Sequence, residues 1–400
     1  EKLANEIRDM GLQATVVAGS AREDANIAVP GYSKDDAGKE SPLGTVQQSW
    51  VRQDAADAVS GSLTATNLTL LFLTLCGAAQ AAESTPVDAP ANTGDAAVFA
   101  LESTKASRSL LLDVTHAGKR IVVVGDRGHI LYSDDQGTSW TQAKVPTRQL
   151  LTAVYFVDDQ HGWAVGHDAQ ILASKDGGAT WTKQFEDLKR EAPLLDVWFK
   201  DLKSGIAVGA YGALLETTDG GQHWEDIGDR LDNEDQYHLN GIAYVKDAGL
   251  FIVGEMGSMF RSADDGQTWE KLEGPYQGSL FGAVGTSQSM TLLAYGLRGN
   301  LFRSTDFGSN WEPIALQGER GPLEFSIANA SLLPDNSIVL VGNGGSVMRS
   351  TDDGESFTVS NRSDRLSLAG VAEGEKGTLI LVGQGGVHVT SPTGVDVAQQ

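Results

Sequence analysis

From about Asp95 to the C-terminus, short apolar runs alternate with glycine-rich polar turns, and the pattern repeats. In one unit Leu151 to Val157 alternates apolar and polar positions. His161 to Gly166 and Ile171 to Ser174 follow as further short runs, and Trp181 opens a fourth. Runs of this length, bounded by Gly and Asp, predict strands and not helices. A glycine that closes an apolar triplet recurs at Gly125, Gly166, Gly209, Gly254, Gly296, Gly342 and Gly383, at intervals of 41 to 46 residues. That interval is the length of one four-stranded propeller blade. The chain therefore predicts an all-β fold over residues 95–400, a seven-bladed β-propeller of four-stranded antiparallel blades. A lone blade cannot bury both faces of its sheet, so neighbours stack around an axis and the ring closes. Closure is expected to use a strand from Ala96 to Leu101, or else from Val395 to Val397.

Each predicted third strand runs into the same hairpin. The fullest copy, Ser174 to Trp181, fits Ser-x-Asp-x-Gly-x-Thr-Trp, an Asp box. Others run over Ser133 to Trp140, Thr217 to Trp224, Ser262 to Trp269, Ser304 to Trp311 and Ser350 to Phe357, and Ser391 to Gly394 is a degenerate seventh. The aspartates are Asp135, Asp176, Asp219, Asp264, Asp306 and Asp352. A short carboxylate at the head of a tight turn accepts hydrogen bonds from the turn's amides, and the box glycine tolerates positive φ. The hydroxyl fixes the strand end. Trp140, Trp181, Trp224, Trp269 and Trp311 supply large apolar faces for packing. The box thus marks the fold and is not a reaction site.

With these repeats, and above all in Ile121 to Trp140 and Gly162 to Trp181, the chain resembles the photosystem II assembly and stability factors of thylakoids and their bacterial relatives. The resemblance covers about 300 residues from Asp95 onward. It implies a propeller without enzymatic activity that binds a membrane protein or complex as an assembly factor, partly through an arginine-rich patch. A comparable set here is Arg261, Arg303 and Arg349, each directly before a box in consecutive blades. Arg127 and Arg298 also hold matching places, two residues after the repeating glycine. The plainer reading is that each arginine lies along its strand and pairs with a local carboxylate. Tyr211, in the third blade, is a candidate aromatic anchor, with ordinary packing between strands as its alternative.

Composition narrows the partner. A net charge of −23 argues against nucleic acid, because phosphate binding needs a basic face. The 47 glycines against 11 prolines suit tight turns between short strands. The single cysteine, Cys76, can form no intramolecular disulfide. It lies in an apolar stretch, residues 67–81, that ends in Ala79-Gln80-Ala81 and reads as a signal peptide. A buried strand or helix is the other reading, and a lipid anchor is disfavoured by Leu75 before Cys76. Export to the periplasm or beyond is expected. Residues 1–66 read as a disordered extension or as lying upstream of the true start, and 82–94 as a linker.

Sialidases also carry Asp boxes on propellers, so a glycoside hydrolase is the alternative function. That chemistry needs an arginine triad to clamp a carboxylate, with a Tyr and a carboxylic acid in attendance. Arg120-Ile121 faintly echoes the Arg-Ile-Pro of such enzymes, with Val122 in place of Pro. The near-uniform blade length leaves little loop from which to build such a site. His161, His167, His223 and His238 show no metal-ligand spacing, and Asp352 to Glu355 is a box and not a calcium loop. No metal and no cofactor is expected.

Overall fold

The structure is a computed structural model that describes residues 98–318 and 321–395, with three short strands nearer the N-terminus. The chain divides into two units, Glu1–Asn92 and Thr93–Gln400. In the first, Leu12–Gln13, Gly31–Lys34 and Glu40–Leu43 pair antiparallel in that order. The signal-like segment 67–81, the linker 82–94 and most of 1–66 lie outside the described residues.

Among the described residues of the second unit, seven antiparallel blade sheets follow one another along the chain, each with its strands in sequence order and its first strand against those of the neighbouring blades. A two-stranded hairpin, Gln317–Gly318 with Gly321–Pro322, lies between blades five and six. The second blade is typical, with strands Leu151–Phe156, Gly162–Gly166, Ile171–Ser174 and Thr182–Phe185. These lie within one residue of the runs read from the sequence. Blades one to six have four strands; the seventh shows Leu368–Glu373, Leu379–Gly383 and Gly386–Thr390. Among the described residues the only helical elements are single 3₁₀ turns.

Apolar side chains collect between blades. Blades two and three share a cluster in which Trp163 stacks on Phe199, ring centroids 3.4 Å apart. A corresponding cluster joins blade seven to blade one, with Ile380 and Val382 against Leu111, Val114 and Ile121. The His116 ring nitrogen Nε2 lies 2.9 Å from the Glu373 carbonyl across the same seam. The ring is therefore closed by packing of blade on blade.

The expected closing strand behaves differently over its described part. Residues 98–101 lie against blade one: the Ala100 N–H donates to the Val145 carbonyl at 2.9 Å, and Arg148 Nε donates to the Phe99 carbonyl. They do not complete the seventh sheet, because the chain enters blade one past Gly386, where a Cβ would meet the Ser107 carbonyl. Val395, the start of the alternative strand, accepts the Ser391 N–H across the last turn, and residues after it lie outside the described set.

The six full box turns share one wiring of Ser or Thr with Asp, and Trp140 and Trp181 add an indole hydrogen bond to it. In blade two the Ser174 hydroxyl accepts the Gly178 N–H and donates to Asp176, which accepts both the Thr180 N–H and its hydroxyl. The Trp181 indole N–H donates to the Gly178 carbonyl at 2.9 Å. His223 and Asn310 fill the Thr position and bind Asp219 and Asp306 in the same way. Hydrogen bonds to the charged form hold these carboxyls low. The His223 backbone and side chain draw Asp219 down to about 2, and the Ser350 and Ser356 hydroxyls draw Asp352 there too.

Candidate functional site

The repeating glycine and the two residues after it build one face of the ring. At Gly125 a side chain is barred by crowding: a Cβ would stand 2.3 Å from the Leu110 carbonyl oxygen. The chain then turns through two left-handed residues, Arg127 (φ 57°) and Gly128 (φ 71°). The same turn sets Asp168, Tyr211, Met256 and Arg298 at the equivalent position in blades two to five. Gly344 holds it in blade six. Left-handed backbone aims these side chains away from the sheet. Tyr211 and Met256 are 57% and 54% exposed, and the Arg127 side chain is 79% exposed.

The arginines of the sequence reading fall into two groups. Arg261, Arg303 and Arg349 are on third strands, and their heads are engaged. Arg261 donates to the Phe307 carbonyl and the Ser309 hydroxyl of the next blade's box, and pairs with Glu270 at 2.8 Å. Arg303 donates to the Asp353 carbonyl, again in the next box. Arg349 reaches Asp335 and Ser337 within its own blade, the box ahead of it being degenerate. Arg127 and Arg298 differ. Arg127 keeps one contact with its neighbour Asp126, at 3.4 Å, and Arg298 makes no ion pair with the described residues.

Arg120 also clasps a neighbouring box. It holds Asp134 through both Nε and Nη2 and reaches the Asp176 and Gly177 carbonyls of blade two. The arginine that gave the sialidase alternative its sequence motif is therefore tied into the blade seam, and that alternative finds no support here.

Sequence reading missed three further features. Phe325 is 46% exposed on the connection into blade six and lies over Gly344, where a Cβ would meet its ring at 3.0 Å. The connection between blades three and four, with the Tyr211 turn, encloses a cleft of about 600 Å³. Third, Asp113 and Asp196 stand on innermost strands just past a bulge in the pairing. Asp113 accepts the N–H groups of Val114 and of Val154 in the next blade, and Asp196 those of Val197 and Ile242. Both residues keep a little surface, but their carboxyls are hemmed in by protein. Burial pushes Asp113 up to about 7, helped by the Asp196 charge, and Asp196 up to about 6.

The sequence model of a family described as "Photosynthesis system II assembly factor YCF48" matches residues 133–192 and 182–319, from the third strand of blade one through blade five. Among curated proteins the chain is similar to the photosystem II stability/assembly factor HCF136, chloroplastic, of Cyanidioschyzon merolae. They are 40% identical over 62 residues, 15% of this chain and 14% of that protein. The photosystem II assembly protein Ycf48 of Synechococcus sp. (strain JA-2-3B'a(2-13)) is 38% identical over 61 residues, 14% and 18% of the two chains. These alignments span less than a fifth of either relative.

Solved structures extend the likeness in fold. YCF48 bound to D1 peptide has a TM-score of 0.56 at 19% identity, covering 70% of this chain and 92% of that one. YCF48 from Cyanidioschyzon merolae has 0.56 at 18%, covering 72% and 97%. Streptogramin B lyase has 0.59 at 12%, covering 70% and 93%. Proteins with such different names on one architecture mean that the fold alone assigns no activity.

Proposed function

For this propeller, whose residues 133–319 match the sequence model of a photosystem II assembly factor family, we propose the role of a non-enzymatic assembly or stability factor. It holds a segment of a membrane protein while a membrane complex is put together, on the exported side of the membrane. The observation that carries this reading is the state of Arg127 and Arg298. They are exposed and barely paired on a rigid face, while the third-strand arginines are engaged inside the ring. The related YCF48 bound to D1 peptide supports a partner of that kind, a peptide segment of a membrane protein.

A guanidinium free of internal partners binds a carboxylate through paired hydrogen bonds, and a preformed turn loses little entropy in doing so. Phe325 gives the same face an aromatic anchor. Among the described residues no helix is long and apolar enough to cross a membrane.

The test is affinity capture from detergent-solubilised host membranes, comparing wild type with an Arg127→Glu/Arg298→Glu variant. A membrane-protein partner held by wild type and lost by the variant supports the reading. Capture that survives the variant removes the arginines from it. Failure to capture any membrane protein overturns the assembly role.

A further inference from the structure

The turn face is not uniformly basic. Between Glu225 and Asp235 the chain reads EDIGDRLDNED, six acids against one arginine, and most of this stretch connects blade three to blade four. The connection is ordered by its own contacts. Ile227 and Leu231 are buried against the blade cores, and Arg230 pairs with Glu216 at 3.0 Å while donating to the Gly266 carbonyl. The Asn233 side chain both donates to the Tyr237 carbonyl and accepts its N–H. Against the Tyr211 turn this loop forms the cleft of about 600 Å³, lined in part by Arg190, Asp226, Asp229 and Glu234.

The charges in the cleft are unbalanced. Arg190 is taken by Asp226 and by Asp187. Asp229 and Glu234 are exposed and make no ion pair with the described residues. Tyr211 lines the same cleft and is 57% exposed, and Met256, 54% exposed, holds the equivalent turn position on the next blade. The Tyr211 ring is set by an edge contact with His238, centroids 4.9 Å apart. A polyanionic cleft with an aromatic wall is complementary to a cation on an apolar stem, since carboxylates and the face of a Tyr ring both attract lysine or arginine heads. Met256 adds adaptable apolar contact.

We propose that this cleft is a second docking site, on the same face as Arg127 and Arg298, and that it takes a basic segment of a protein partner. One lysine or arginine side chain enters beside Tyr211 and pairs with Asp229 and Glu234, and an apolar residue next to it rests on Met256. The two sites lie on one face of the ring with opposite charge, so a partner carrying an acidic and a basic segment binds in a single orientation. Neither site depends on the other for its geometry.

The experiment uses the full chain and a fluorescent peptide of alternating lysine and leucine, with a glutamate-leucine peptide as its counterpart. Anisotropy measures affinity, and hydrogen exchange finds the place. The expected result is protection of the Tyr211 turn and of residues 227–238 by the lysine peptide alone. Asp229→Lys/Glu234→Lys should weaken binding roughly tenfold or more, as loss of a close charge pair does. Tyr211→Gly should weaken it several-fold, and that backbone position already suits glycine, so folding is not at stake. Arg127→Glu/Arg298→Glu, which tests the assembly role, should leave this binding in place. An equal loss from Asp159→Lys/Glu375→Lys, on the box side of the ring, would reduce the effect to attraction by an acidic body. That result, protection elsewhere or no binding would each overturn the proposal.

Discussion

The carboxylate of Asp113 accepts the main-chain N–H of Val154 at 2.9 Å, so an acid on the innermost strand of blade one holds the innermost strand of blade two. Asp196 repeats the arrangement between blades three and four through Ile242. Elsewhere neutral groups act as staples: the Thr152 hydroxyl donates to the Leu194 carbonyl, and the Asn240 amide to that of Leu280. At Gly282 of blade five a Cβ would stand 2.3 Å from the Tyr295 hydroxyl, which fills that place and bonds to the Ala330 backbone.

This arrangement has a pH signature. Folding raises Asp113 from an ordinary 3.8 to about 7, and Asp196 to about 6. A carboxyl with a raised value binds its proton more tightly when folded. Its stabilisation is complete below about pH 4 and is lost as pH climbs through 6 and then 7. For Asp113 the loss is at most on the order of 4 kcal/mol. Asp113→Asn should therefore be more stable than wild type at pH 8, by about 1–2 kcal/mol, and no more stable at pH 5. Urea unfolding at both pH values measures this. A variant with the wild-type pH slope would show that Asp113 is not the group responsible.

The repeating glycine makes a different prediction. At Gly166 a Cβ would approach the Leu150 carbonyl oxygen to 2.2 Å and the Leu151 Cα to 2.9 Å, and both of these neighbours belong to main chain with no room to yield. Gly166→Ala should cost about 3 kcal/mol or more, in the class of overpacked and strained sites. Gly377, with open space around its Cβ position, is the control. Gly377→Ala carries only the strain of its positive φ, about 1 kcal/mol. Thermal unfolding of the two proteins should separate them clearly; equal shifts would mean that close approach is not why glycine stands there.

The blade period, the box and its Asp, Gly and Trp were legible in the sequence because each is local: strand, turn and strand follow within a dozen residues. The arginine roles were not. Arg261 and Arg303 are answered by carbonyls of the next blade, 46 and 50 residues on, and no spacing rule reveals such a partner. Asp113 and Asp196 left no periodic trace. Their equivalents are Ala153, Gly241, Gly282, Asn329 and Gly370, and at Gly282 the hydroxyl comes from another strand altogether. The acidic cleft reads in sequence as a polar connection. Only the fold sets it against Tyr211.

The clasp itself can be tested through Arg303, whose side chain is 12% exposed. Its Nε donates to the Asp353 carbonyl at 3.0 Å. Arg303→Ala leaves that carbonyl without its charged donor, and should lower stability by about 1–2 kcal/mol. Arg298→Ala, which breaks no ion pair with the described residues and removes an exposed head, should change stability by less than about 0.5 kcal/mol. Calorimetry of the two variants distinguishes a structural arginine from one held for a partner. Equal destabilisation would mean that Arg298 supports the fold as well.

Met256 tests whether side chains on the turn face are kept at a cost to the fold. It occupies left-handed backbone, φ 53° and ψ 29°, and is 54% exposed. Such a conformation disfavours a residue with a Cβ by about 1 kcal/mol, whereas glycine adopts it freely. Blade six already has Gly344 at the equivalent position. Met256→Gly should therefore leave the ring as stable as wild type or up to about 1 kcal/mol more stable, the relief being offset by glycine's greater freedom when unfolded. The lysine-leucine peptide should bind this variant several-fold more weakly, through loss of the apolar contact. A variant that is clearly less stable would mean that Met256 packs into the fold despite its exposure, and the turn face would then owe its side chains to structure.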